Sequence, residues 1–189
     1  VLIDCGVLHP QEKQAITDYV TAHQLQITQA WQTHGHFDHI FGCQWAYETF
    51  GVSPLLLPAD EHRYLHAGEE LQLFLHQRVE IPVPSLAAYL VDGQMLSFGN
   101  HDFEVIATPG HTPGGVCFYC ASEKVLITGD SLFEGSIGRC DLPEGDMDTL
   151  IQSLQTRVMT LPDDVRIYPG HGRSSTIGHE RTSNPYLIS

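Results

Sequence analysis

The sequence predicts a layered α/β domain with a polar site at the ends of its strands, and three observations lead there. Apolar runs of strand length alternate with helical stretches along one chain. Several of those strands run straight into loops bearing His or Asp, the places where a rigid scaffold carries its chemistry. The composition, 42% apolar and 17% charged over 189 residues, is that of a globular chain with enough length for one sizeable core. A single domain over residues 1–189 is therefore expected.

The elements follow in order. Val1-Leu2-Ile3-Asp4 reads as the middle of a strand, so a segment upstream is expected, and a leader ahead of Val1 is left open. Pro10 to His23 predicts a helix, with Pro in the first turn and Ala15, Ile16, Tyr19, Val20 and His23 as one stripe. Gln26 to Thr33 predicts a strand, Gly35-His36 a turn, His39 to Phe50 a helix and Pro54 to Leu57 a short buried strand. Ala59 to His76 has helical spacing with many acidic residues, and the proline-rich Val79 to Leu90 suits an irregular wall or lid. A hairpin is expected over Gln94 to Ala107, with strands at Gly115 to Tyr119 and Val125 to Thr128. Asp146 to Thr160 predicts an amphipathic helix capped by Asp146, with Met147, Leu150, Ile151, Leu154 and Val158 on one face. Val165 to Tyr168 is the last expected strand.

Composition excludes several function classes. The formal charge is −14, with nine basic residues against twenty-three acidic ones. No basic stripe exists to neutralise phosphates, so nucleic acid is not an expected partner. No apolar run approaches the ~18 residues of a membrane span. Five cysteines do not make an even disulfide framework, and they read as reduced thiols of a cytoplasmic protein. Cys117 and Cys120 sit three apart in a strand, where side chains alternate between faces. They are expected as core residues rather than a redox or metal pair. His62 and His66, four apart on a helix, are expected as surface polar residues.

The densest chemical signal is Thr33-His34-Gly35-His36-Phe37-Asp38-His39. In extended backbone His34 and His36 point the same way, so both imidazoles can meet one metal. Asp38 continues that face, and the turn into a helix can bring His39 beside it. With twelve His and twelve Asp in the chain, four such residues at fixed offsets arise by chance roughly 0.003 times per chain. Three further segments place one ligand type each after an apolar strand. These are Thr108-Pro109-Gly110-His111-Thr112-Pro113-Gly114, Thr128-Gly129-Asp130, and Pro169-Gly170-His171-Gly172. A carboxylate such as Asp130 just past an apolar run is costly unless paired or metal-bound. Five His and two Asp divide naturally into two borderline-hard metal sites that share a carboxylate.

The order H-x-H-x-D-H, G-H-T-P-G, G-D, P-G-H-G resembles the metallo-β-lactamase superfamily. Within it the chain is similar to the short glyoxalase II (hydroxyacylglutathione hydrolase) branch, over nearly its whole length. The resemblance implies a four-layer αββα sandwich. It implies one metal on His34, His36 and His111, another on Asp38, His39 and His171, and Asp130 bridging them with a water or hydroxide. Two divalent ions are thus the expected cofactors, zinc first and iron or manganese as alternatives, with Asp38 and Asp130 holding the hydroxide that does the chemistry. The implied reaction is hydrolysis of a small-molecule thioester of the S-acylglutathione type. An iron-dependent persulfide dioxygenase, a lactonase or another hydrolase of the same fold are the alternatives. The chain is expected to be without the helical C-terminal domain with which long glyoxalase II enzymes grip glutathione. Gly138-Arg139-Cys140-Asp141 resembles a G-R-x-D pattern of related proteins, in which Arg139 either pairs with Asp141 or meets an anionic substrate.

Overall fold

The computed structural model describes residues 1–77 and 79–188 and gathers the chain into two compact units, Val1–Tyr89 and Leu90 onward. The first unit is built on four short strands in the order β1 (Leu2–Ile3), β2 (Ala30–Trp31), β3 (Pro54–Leu56) and β4 (Ala88–Tyr89), all parallel. Parallel neighbours cannot be joined by a tight turn, so each connection carries helix. The crossovers hold α1 (Pro10–Ala22), then α2 (Phe37–Ile40) and α3 (Cys43–Phe50), then α4 (Glu61–Leu65) and α5 (Ala67–Leu75). Ile40, Cys43, Ala46, Tyr64 and Ala67 from these helices pack with Cys5, Ala30, Val52 and Leu56 into one core.

The helical regions of this unit differ from expectation in three ways. In α1 no residue is fully buried, and Lys13, Ile16, Thr17 and Val20 form the half-buried face. Ala15, Tyr19 and His23 point to solvent, where the rings of Tyr19 and His23 stack at 4.1 Å. The helix expected from His39 to Phe50 starts earlier, at Phe37, and is broken at Gly42. There the backbone N–H donates to the Cys5 carbonyl (2.8 Å) instead of continuing a helical ladder. The acidic helix over Ala59–His76 is likewise three pieces, a 3₁₀ turn at Pro58–Asp60, α4 and α5, because His66 (φ −116°, ψ 23°) leaves the helical region. The expected strand Gln26 to Thr33 shortens to β2, and the irregular Val79–Leu90 stretch contributes β4.

The second unit carries a six-stranded sheet. It contains β5 (Met95–Phe98), β6 (His101–Ala107), β7 (Val116–Cys120), β8 (Val125–Gly129), β11 (Arg166–Pro169) and β12 (Ser175–Thr176), ordered β12-β11-β8-β7-β6-β5. A separate hairpin pairs β9 (Leu132–Phe133) with β10 (Ser136–Ile137). The two helices are α6 (Met147–Ser153), which continues through one π turn at Leu154–Val158, and α7 (Ile177–Ser183). Asp146 caps α6 as expected, its side chain accepting the Thr149 N–H (2.8 Å). Leu150, Leu154 and Val158 are fully buried against Ile106, Cys117, Leu126 and Ile167, while Met147, at the first helical position, stays exposed. Cys117 and Cys120 lie on opposite faces of β7, both fully buried, and all five cysteines are free thiols. Among the described residues no helix is long and apolar enough to cross a membrane.

Candidate metal centre

Strand direction explains where the chemistry gathers. In the first unit β1, β2 and β3 are parallel, so their carboxyl ends share one edge, the position where open α/β sheets place ligand sites. Asp4 follows β1, Thr33 and His34 follow β2, and Asp60 follows β3. Their mutual bonds confirm the convergence. Thr33 donates its N–H to Asp4 Oδ1 (2.7 Å) and its hydroxyl to Asp4 Oδ2 (2.6 Å), and the Gly35 N–H donates to Asp60 Oδ2 (2.8 Å). His34, His36 and His39 are buried to 4% exposure or less. The His34 ring lies 4.8 Å from that of His36 and 4.1 Å from that of His39, centroid to centroid. Asp38, on the short α2, is more open, with its carboxylate 3.8 Å from His39 Nε2.

Two of these rings, His34 and His39, are gripped through one nitrogen. The Thr33 hydroxyl has a single proton, which it gives to Asp4. It therefore accepts from His34 Nδ1 (2.9 Å), and the His34 lone pair resides on Nε2. His39 Nδ1 donates to Asp4 Oδ2 (3.0 Å), with the same consequence. His36 differs, since its Nε2 lies 3.2 Å from Glu70 Oε1 in an ion-pair contact that falls short of hydrogen-bond geometry. Burial raises the Glu70 carboxyl, but His36 and Arg63 outweigh it and hold the group below the ordinary carboxylate value. Glu70 is thus an acceptor at neutral pH.

The same directional logic operates in the second unit. Strands β6 and β8 both run antiparallel to β7, and β11 is parallel to β8, so all three end at one edge. His111 follows β6, Asp130 follows β8 and His171 follows β11. His111 Nε2 and His171 Nε2 lie 3.8 and 3.5 Å from Asp130 Oδ2. His111 is buried and its Nδ1 donates to the Arg139 carbonyl (2.7 Å), whereas His171 is exposed. That carbonyl reaches the ring because Gly138 has no side chain. A Cβ there would lie 1.9 Å from Asp130 O and 3.0 Å from His111 Cγ. The Arg139 guanidinium makes a two-point bond to Asp141 (2.7 and 2.8 Å), the pairing alternative considered from sequence.

The donor set fits divalent metal. Asp4, His34 and His39 bring ligand atoms within 4.8 Å of one another, although the Asp4 carboxylate is taken up by Thr33 and His39 and so orients rather than ligates. Imidazole and carboxylate together suit Zn²⁺, Fe²⁺ and Mn²⁺. Histidines fixed through one nitrogen by a carboxylate or carbonyl are characteristic of metal ligands. The residues that sequence reading missed are these orienting groups, Asp4, Thr33, Asp60, Arg63 and Glu70. Only Asp4, directly after an apolar run, carried a local signal of the kind that marked Asp130.

Buried, oriented histidines with aspartates beside them at the carboxyl ends of strands define the class of a metal-dependent enzyme. The chain belongs to the metallo-β-lactamase superfamily, whose family model matches residues 1–171, and it has that superfamily's mixed α/β fold. It is 38% identical over 168 residues to "Hydroxyacylglutathione hydrolase GloC" of Haemophilus influenzae, covering 83% of this chain and 74% of the relative. Among solved structures it is similar to the BLEG-1 B3 metallo-beta-lactamase (32% identity, 99% of this chain and 88% of that one, TM-score 0.89). It is also similar to TTHA1623 in a di-iron-bound form (34% identity, 98% and 88%, TM-score 0.86).

Proposed function

We propose that this chain is a two-metal thioesterase that hydrolyses small S-acylglutathione-type thioesters. The observation that carries the reading is the set of buried histidines, of which His34, His39 and His111 are each held by a hydrogen bond at Nδ1 that leaves the lone pair on Nε2. The similarity to the Haemophilus hydroxyacylglutathione hydrolase supports the substrate class, and the di-iron form of TTHA1623 supports a dinuclear centre.

By the assignment the resemblance implies, His34, His36 and His111 would hold one ion, Asp38, His39 and His171 the other, and Asp130 would serve both. When bound, the ions supply Lewis acidity, lowering the pKa of water toward ~7 and drawing off charge that develops on an acyl oxygen. The protein's part is to keep the ligands in place before substrate arrives. Asp4 fixes His39 directly and His34 through the Thr33 hydroxyl. The Arg139 carbonyl fixes His111. No side chain has to protonate the departing group, because a thiol of pKa ~8.5 leaves as thiolate near neutral pH. Arg139 is engaged by Asp141 and is assigned to holding its loop rather than to substrate.

Similarity to BLEG-1 favours β-lactam hydrolysis as a second reading. Steady-state assays of the metal-loaded protein on a thioester panel, including S-lactoylglutathione, and on a chromogenic cephalosporin distinguish the two. The thioesters should be turned over with much the higher kcat/KM. Turnover of the cephalosporin alone, or oxygen uptake with glutathione persulfide and no hydrolysis, would overturn the thioesterase reading.

A further inference from the structure

The segment between β3 and β4 reaches back to the His34-Gly35-His36 stretch at two points. Asp60, fully buried at the start of α4, accepts the Gly35 N–H and so pins the backbone between the two histidines. One turn into α5, Glu70 places Oε1 3.2 Å from His36 Nε2. Glu70 does not stand alone, since Arg63 Nη1, from α4, donates to the same Oε1 (2.7 Å), and both residues are buried to 8% exposure. Buried ion pairs cost desolvation and are seldom retained for stability alone, because apolar residues of similar volume do as well or better. An ion pair whose carboxylate also touches an imidazole has a second use. It restrains the direction in which the ring faces.

We infer that the Arg63–Glu70 pair is a positioning device for His36, holding the ring in place by its charge contact while Asp60 fixes the backbone beside it. The inference rests on the two-metal reading of His36 proposed above. Glu70 touches no reacting atom and acts only through His36, and Arg63 acts only through Glu70. His36 is thus oriented by a charge contact, whereas His34, His39 and His111 are gripped by hydrogen bonds at Nδ1.

The test is metal transfer from the purified, metal-loaded protein to a chromophoric chelator, for wild type, Glu70→Gln and the double variant R63M/E70M. The double variant replaces the ion pair with an apolar pair of similar bulk, so it guards against simple misfolding. In both variants one of the two ions should leave about 10- to 100-fold faster than in wild type. The melting of the chelator-treated R63M/E70M protein should match that of wild type. Release traces that superimpose on wild type, or earlier melting without faster release, would overturn the inference and leave the pair a helix-to-helix staple. A wild-type protein with no releasable metal would instead overturn the two-metal reading, and this inference with it.

Discussion

Replacing Gly110 by alanine tests how packing in the second unit holds a proposed metal ligand. Gly110 has φ +134°, a conformation that side chains disfavour, and its missing Cβ would fall 2.3 Å from Leu150 N and 2.5 Å from Leu150 Cα. Both are backbone atoms of α6, so no side-chain rotation relieves the clash. An ordinary contact of about 3.5 Å requires the loop or the helix to move by about 1 Å. Overpacking of this kind costs about 1–3 kcal/mol, and the disfavoured backbone about as much again. A total of about 2–6 kcal/mol corresponds to a fall in Tm of roughly 5–20 °C for a chain of this length. The Gly110 carbonyl also accepts the Asp146 N–H (2.8 Å) at the start of α6, so displacement strains that cap too. His111 is the next residue, and a ligand moved by about 1 Å costs on the order of 10²-fold in rate. Thermal unfolding and thioester turnover, measured on the same preparation, check both halves. A Gly110→Ala protein with Tm within 1–2 °C of wild type and unreduced turnover would refute the reasoning.

Two further predictions follow from the surroundings of ionisable groups. Burial pushes the Cys5 and Cys117 thiols up to about 11 and Cys43 well above its ordinary value, and only Cys140 is not fully buried. Alkylation at pH 8 should therefore modify at most Cys140 in the native protein and all five thiols after denaturation, and mass-mapped labelling of native Cys117 or Cys120 would contradict this. Asp92 is held below the ordinary carboxylate value chiefly by Arg157, which donates to it at 2.9 and 3.1 Å. A depressed folded-state pKa means stability that is present above the unfolded value of ~3.9 and lost as pH falls through the lower folded one. The pair is half exposed, so Asp92→Asn should cost no more than about 1 kcal/mol at pH 7. The wild-type and variant Tm curves should converge as pH drops below ~4, and a gap that persists to pH 2 would count against the pairing.

The candidate site was legible because residues able to ligate metal stand out by type and spacing. His34, His36, Asp38 and His39 form one dense segment, and His111, Asp130 and His171 each stand just past an apolar run. The orienting groups carried no such signature. Glu70 and Asp60 were two acids among many on a helical stretch, and their partners lie 34 and 25 residues away in sequence. Asp4 meets His39 across 35 residues. Helix interruptions were invisible for a related reason. Apolar spacing runs on through Gly42 and His66, and at Gly42 a tertiary bond, to the Cys5 carbonyl, ends the helix. In α6, periodicity identified the buried face through Leu150, Leu154 and Val158 but overextended it to Met147, where the helix has only begun. Strand edges such as β9, β10 and β12, two residues each, are too short for any alternation to register.

The most direct test of the account is metal content per chain after gel filtration, by elemental analysis of wild type beside His34→Ala and His39→Ala. Two ions per wild-type chain, with each substitution lowering the count by about one, is the predicted result, since His34 and His39 are assigned to different ions. A wild-type chain that retains no metal, or a count unchanged by either substitution, would contradict the dinuclear centre on which the proposed chemistry depends.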